Sequence, residues 1–156
     1  MVRGNLVMKG YYRNEEATAK ALEGGWFHTG DVAVVHPDGR IEIRDRNKDV
    51  IISGGENISS VEIEGVLYAH TAVREAVVVA MPDDKWGEVP CAFIALHAGQ
   101  QVTPEELTAH VRGHLAAFKV PKHYEFRDDL PKTASGKFQK FILRAELWQG
   151  KARGVN

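Results

Sequence analysis

Cysteine occurs once in this chain, at position 91, so no internal disulfide can staple it. Cys91 lies inside the apolar run "VPCAFIAL" with no His-Asp arrangement nearby, and reads as a buried strand residue. Charge of one sign is also lacking. The 20 Lys and Arg are offset by 21 Asp and Glu, which leaves no basic face for nucleic acid or for a lipid surface. No apolar stretch approaches the roughly 20 residues that a membrane-spanning helix needs. The opening "MVRGNLVMKGYYRNEE" lacks the charged-then-apolar order of a signal peptide. Internal repeats and low-complexity segments are absent too. The seven histidines form no metal-binding spacing with cysteine or carboxylate partners, and His110 and His114, four apart, read as a solvated pair. A hydrophobic content of 44% supports a true core and argues against disorder. These absences imply a globular chain with no transmembrane segment, and a cytoplasmic setting is expected.

Local signals then divide the chain in two. The first twelve residues read as a short strand and turn. "NEEATAKAL" reads as a brief helix with Asn14 as its N-cap and the glycine pair at 24 and 25 as its stop. "DVAVVHPDGRIEIRDR" predicts a hairpin, with Val32 and Val34 alternating on one arm, Ile41 and Ile43 on the other, and Pro and Gly in the turn. A two-stranded ribbon is marginal in water by itself, so this block reads as the edge of something larger.

Beyond about residue 50 the character changes. Ser59 and Glu62 have capping-box spacing ahead of Ile63, Val66 and Leu67 on one helical face. "REAVVVAM" and "VPCAFIAL" read as buried strands, and "KHYEF" as a short one. Thr103, Pro104 and Glu106 open a helix with the stripe Leu107, Val111, Leu115 and Phe118. A last helix is expected to carry Phe138, Phe141, Ile142 and Ala145 on one side. The fold class is α+β, a small sheet with packed helices. Residues 1–47 precede this domain, residues 48–150 form it, and residues 151–156 read as a flexible end.

Three polar clusters could carry chemistry: "GWFHTGD", "RDRNKDVIISGGEN" and "PKTASGK". The last is not the phosphate-cradling G-x-x-x-x-G-K-[ST] loop. Pro131 stands five residues before Gly136 where a glycine belongs, and Phe138 follows Lys137 where a hydroxyl belongs. Each cluster alone fits a turn or a solvated strand end. Their order and spacing are more informative.

Together they resemble the C-terminal part of the adenylate-forming superfamily: acyl-CoA synthetases, peptide-synthetase adenylation domains and firefly luciferase. "GWFHTGD" is similar to the aromatic-x-TGD segment, "DGRIEIRDRNKDVIISGGENISSVEIE" to the hinge and its following loop, and "LPKTASGKFQK" to the terminal lysine motif. The resemblance runs from residue 1 to about 148. "GGENISSVEIE" and "DDKWGEVPCAFI" look most like fatty-acyl or medium-chain acyl-CoA ligases.

The resemblance implies two steps. A carboxylate attacks the α-phosphate of ATP to give acyl-adenylate and pyrophosphate, and the thiol of coenzyme A then displaces AMP. Lys137 matches the lysine that stabilises the first step. Asp31 and Arg46 match residues that contact the nucleotide ribose. Lys48 falls at the hinge, where the small domain swings between poses. Gly54 and Gly55 match the turn beside the pantetheine tunnel. Asn57 stands where some relatives carry a phosphate-contacting arginine, which weakens that contact here. His28 falls where relatives often have a basic residue. Trp86 reads as packing, and the "WGE" segment is left without a role. The phosphate loop and the Mg2+-associated segment have no counterpart in this sequence, so they, and the acyl pocket, are expected on the chain's own large N-terminal domain. Two rivals stand beside this reading: a non-catalytic interaction module, and the small lobe of a peptide-synthetase or luciferase-like enzyme.

Overall fold

The computed structural model describes residues 1–150; the flexible end expected at residues 151–156 lies outside them. The chain divides into two compact units, Met1–Asn47 and the remainder from Lys48 onward.

In the first unit, helix α1 (Glu15–Ala21) is capped as expected, the Asn14 side chain accepting from the Ala17 N–H at 3.0 Å. The opening residues form turns and two isolated bridges, Val2 to Phe27 and Tyr11 to Asn14, rather than a strand. Strands β1 (Asp31–Val35) and β2 (Ile41–Arg46) make an antiparallel hairpin. The register shifts between Val32 and Ala33, which leaves Arg44 as a bulge. Val32, Val34, Val35, Ile41 and Ile43 are all exposed. Apolar side chains lie on both faces: Val35 shares one with its partner Ile41 and with Ile43, and Val34, opposite Glu42, lies on the other.

The second unit is built on a five-stranded sheet. Its strands are β3 (Ile51–Ser53), β4 (Glu56–Ile58), β5 (Val73–Asp83), β6 (Gly87–Leu96) and β7 (His123–Phe126), in the order β4-β3-β6-β5 with β7 parallel to β6. Helices α2 (Ser60–Tyr68), α3 (Pro104–Arg112) and α4 (Lys140–Leu147) complete it. Strands β5 and β6 read as unbroken apolar runs because both faces are covered. Ala76, Val78, Ala80, Ala92 and Ile94 pack with Ile63 and Leu67 of α2 and Leu107 and Val111 of α3. Val77, Val79, Cys91, Phe93 and Ala95 pack with Leu130 and with Leu143 of α4. Burial of each of the Val, Leu, Ile and Phe side chains among them contributes about 1.5–3 kcal/mol.

Two expected helical faces are corrected. Helix α3 ends at Arg112, so Phe118 falls in a separate 3-10 turn and is exposed, while Leu115 is half-buried. Helix α4 begins only at Lys140. Leu143 is its buried residue at 0% exposure, whereas Phe141 is 57% exposed and Phe138 reaches the same core from the preceding loop. The 3.6-residue period was set from Phe138, which lies outside the helix. The Thr103 capping box forms in full, the Thr103 N–H donating to the Glu106 carboxylate at 2.8 Å and the Glu106 N–H to the Thr103 hydroxyl at 3.2 Å. The Thr103 N–H first, and then its hydroxyl, hold the Glu106 carboxyl below its ordinary range. At Ser59 the hydroxyl caps Glu62 as expected, but the Glu62 carboxylate turns to Lys119 at 2.6 Å.

Candidate functional site

The terminal lysine motif forms a tight hairpin loop. Lys132 bridges to Phe138, the Thr133 N–H donates to the Lys137 carbonyl at 2.8 Å, and the Gly136 N–H donates to the Thr133 carbonyl at 2.9 Å. Gly136 has φ of 82°, a left-handed conformation that such a loop requires at this point and that side chains resist. The Thr133 hydroxyl accepts from the Lys137 N–H at 3.1 Å, fixing the backbone that carries the lysine.

The three lysines of this motif have different surroundings. Lys132 Nζ contacts Glu75 Oε1 at 2.6 Å and Asp129 Oδ1 at 3.1 Å, and Glu75 is the chief cause of an ammonium held above its ordinary range. Lys140 Nζ contacts Glu64 Oε1 at 2.8 Å and the Ser60 hydroxyl at 2.7 Å. Lys137 is exposed, and among the described residues its ammonium has no hydrogen bond or ion pair. Its two neighbours anchor the loop to α2 and β5, and Lys137 is left to act outward.

Lys48 opens the second unit within a 3-10 turn, Asn47–Asp49. Its carbonyl accepts from Arg144 at 3.1 Å, and the same guanidinium pairs with Asp49 at 2.8 Å, so α4 grips the residues just after the boundary.

Gly54 and Gly55 form the two-residue loop between β3 and β4. Their φ values of 58° and 90° are the signature of a type I′ turn, which needs positive φ at both positions. Trp86 packs here, as expected: a Cβ at Gly54 would stand 2.7 Å from its ring. Glu88, one step along β6, is a fully buried carboxylate that accepts from the Ile52 N–H at 3.0 Å. Sequence reasoning passed over Glu88; an acidic residue entering an apolar strand run was the available signal.

In the first unit Asp31 and Arg46 are cross-strand partners, both exposed. The bulge at Arg44 arranges this. A regular register would set Asp45 opposite Asp31, two like charges; the extra residue brings Arg46 there instead. Asp45 turns inward and is buried, its carboxylate accepting from the Arg46 N–H at 2.7 Å. His28 Nε2 bonds the Glu23 carbonyl at 3.1 Å. The sites in the two units are thus each locally organised: Asp31 with Arg46 in one, Lys48, the glycine turn and Lys137 in the other.

The histidine expectation is corrected. His110 is half-buried, bonds the Val66 carbonyl at 2.9 Å and meets the His70 ring edge-on, while His114 is exposed. No group of three or more His, Cys, Asp or Glu side chains among the described residues could hold a metal ion. No helix among them is long and apolar enough to cross a membrane.

Comparison with known proteins places these features in context. Residues 62–137 match the model of the AMP-binding enzyme C-terminal domain. A probable CoA ligase of Humulus lupulus is 56% identical over 147 residues, covering 92% of this chain and 26% of that protein. A peroxisomal acetate/butyrate–CoA ligase of Arabidopsis thaliana is likewise 56% identical, over 149 residues, covering 92% and 26%. The solved structure of o-succinylbenzoate CoA synthetase of Bacillus subtilis, in complex with its acyl-adenylate intermediate, superposes with a TM-score of 0.83 at 40% identity, covering 99% of this chain and 30% of that one. The chain spans about a quarter of the length of the curated relatives it matches.

Proposed function

We propose, from the match of residues 62–137 to the AMP-binding enzyme C-terminal domain, that the chain is the C-terminal part of an AMP-forming acyl-CoA synthetase. The observation that carries the reading is Lys137: exposed, set on an anchored loop, and without a partner among the described residues. In the adenylating step two anions, a carboxylate and the α-phosphate of ATP, must approach. An ammonium between them offsets that repulsion as charge builds in the transition state. A lysine already paired within its own domain could not do this. Lys132 and Lys140 are so paired; Lys137 is not.

Asp31 and Arg46 are assigned to the ribose of the nucleotide. An ionised carboxylate accepts from its hydroxyls, and a guanidinium donates to the ribose ring or hydroxyl oxygens. Gly54 and Gly55 are assigned to the pantetheine path of coenzyme A, where a backbone without side chains lets the thiol arm pass closely. Lys48 is assigned to the hinge. The exposed valines and isoleucines of β1 and β2 support a further part of the reading, that residues 1–47 are the tail of a large N-terminal domain that covers them. That domain would supply the acyl pocket and, with the ATP phosphates, any Mg2+. The acid itself is a carboxylic acid, with a fatty acid as the finer reading. A cytoplasmic setting is proposed for the parent; because three relatives are named peroxisomal, organelle fractionation is the check.

The test is direct. The full-length protein, given ATP, Mg2+, coenzyme A and a panel of straight-chain and aromatic acids, should release AMP and form acyl-CoA, with a fatty acid preferred. Failure to form acyl-adenylate with every acid would contradict the function; preference for an aromatic acid would contradict only the finer reading.

A further inference from the structure

Residues 86–88 meet the β3–β4 turn at four points. The Trp86 carbonyl accepts from the Gly54 N–H at 2.9 Å, and Ser53 pairs with Gly87. The Glu88 carboxylate accepts from the Ile52 N–H at 3.0 Å, and the Trp86 ring lies against Gly54. Glu88 is 1% exposed. A carboxylate that deep is costly unless it satisfies something specific.

The hairpin geometry shows what it satisfies. In a two-residue hairpin loop Ser53 and Glu56 are the closing pair, so Ile52 directs its N–H away from β4, toward β6. Pairing of β3 with β6 is limited to Ser53 opposite Gly87; one step further would set Ile52 opposite Glu88. There the ladder has stopped, and the side chain of Glu88 supplies the acceptor instead. An N–H left without one would free this edge of β3 to shift, and with it the turn at Gly54.

We propose that Glu88 is a positioning residue for the thioester-forming step: its carboxylate fixes β3, and so sets where Gly54 and Gly55 stand along the path of the pantetheine arm. This rests on the function proposed above. It assigns to residues 86–88 a task in the second half-reaction and none in the first.

The experiment uses the full-length protein and measures the two half-reactions separately. Adenylation is followed by pyrophosphate release without coenzyme A, and thioester formation starts from supplied acyl-adenylate. Glu88→Met keeps the volume and removes the acceptor; Glu88→Gln keeps an amide oxygen that can accept from Ile52. The expected result for Glu88→Met is a thioester rate reduced about tenfold or more, the scale of a small misplacement, with adenylation within about twofold of wild type. Glu88→Gln should restore the thioester rate to within about threefold, and amide exchange at Ile52 should be fast in the Met variant and slow in the Gln variant. Equal losses in both half-reactions, or no loss in either, would overturn the inference. Should Glu88→Met fail to fold, Glu88→Asp decides: it draws the carboxylate one methylene back from the Ile52 N–H and must show the same split. A wild-type protein that forms no acyl-adenylate would remove the function and this inference together, whereas normal wild-type turnover with a silent Glu88 variant removes the inference alone.

Discussion

At the scale of single residues, environment decides which side chains can act. Cys91 and Lys137 are opposites. Cys91 is fully enclosed in the core between the sheet and α4, and that burial pushes its thiol up to about 12. The thiolate is the reactive form, so Cys91 should resist iodoacetamide at pH 8 in the folded protein and react readily once unfolded. Fast modification of the native chain would show that the strand pair opens. The lysine motif stands out in the sequence because it is short and contiguous. The carboxylates that hold its neighbours were not legible, since Glu75 and Glu64 lie more than 50 residues from their lysines and only the packed sheet joins them. Glu88 was hidden for the same reason: its partner is Ile52, on another strand.

At the scale of elements, local chemistry predicted the starts of helices better than their buried faces. Asn14, Ser59 and Thr103 all cap their helices, because a cap is decided within four residues, and Thr103 also closes its box while Glu62 turns from Ser59 to Lys119. Thr103→Ala should lower stability by about 1 kcal/mol, measured by urea unfolding. The Glu106 carboxyl is held low by its hydrogen bonds to Thr103, so its contribution is fully present above the ordinary glutamate range and is lost as pH falls through the lowered value. Glu106→Gln should therefore flatten the acid limb of the unfolding curve; an unchanged limb would exclude the box as its source. The face of α4 was misread because Phe138, which set the period, belongs to the loop. Leu143 is the true anchor, and Leu143→Ala should cost about 2–5 kcal/mol while Phe141→Ala costs little, a contrast that thermal unfolding would resolve. The β3–β4 hairpin was read only as part of a polar cluster with a glycine turn. Its strands have three residues each, too short to show a period.

At the scale of the whole molecule, the second unit exposes the Lys137 ammonium with no partner among the described residues. The chain alone should show no tight ATP binding by calorimetry; micromolar affinity would favour a free-standing module. Lys48→Pro in the full-length protein should harm thioester formation more than adenylation, because proline fixes φ at the point assigned to the swing. Normal overall turnover by that variant would place the hinge elsewhere. The central claim, that Lys137 serves the first chemical step, is tested most directly by Lys137→Ala assayed in the two half-reactions. The account predicts acyl-adenylate formation reduced by on the order of a hundredfold or more, with thioester formation from supplied acyl-adenylate preserved. Equal loss of both, or loss of neither, would contradict it.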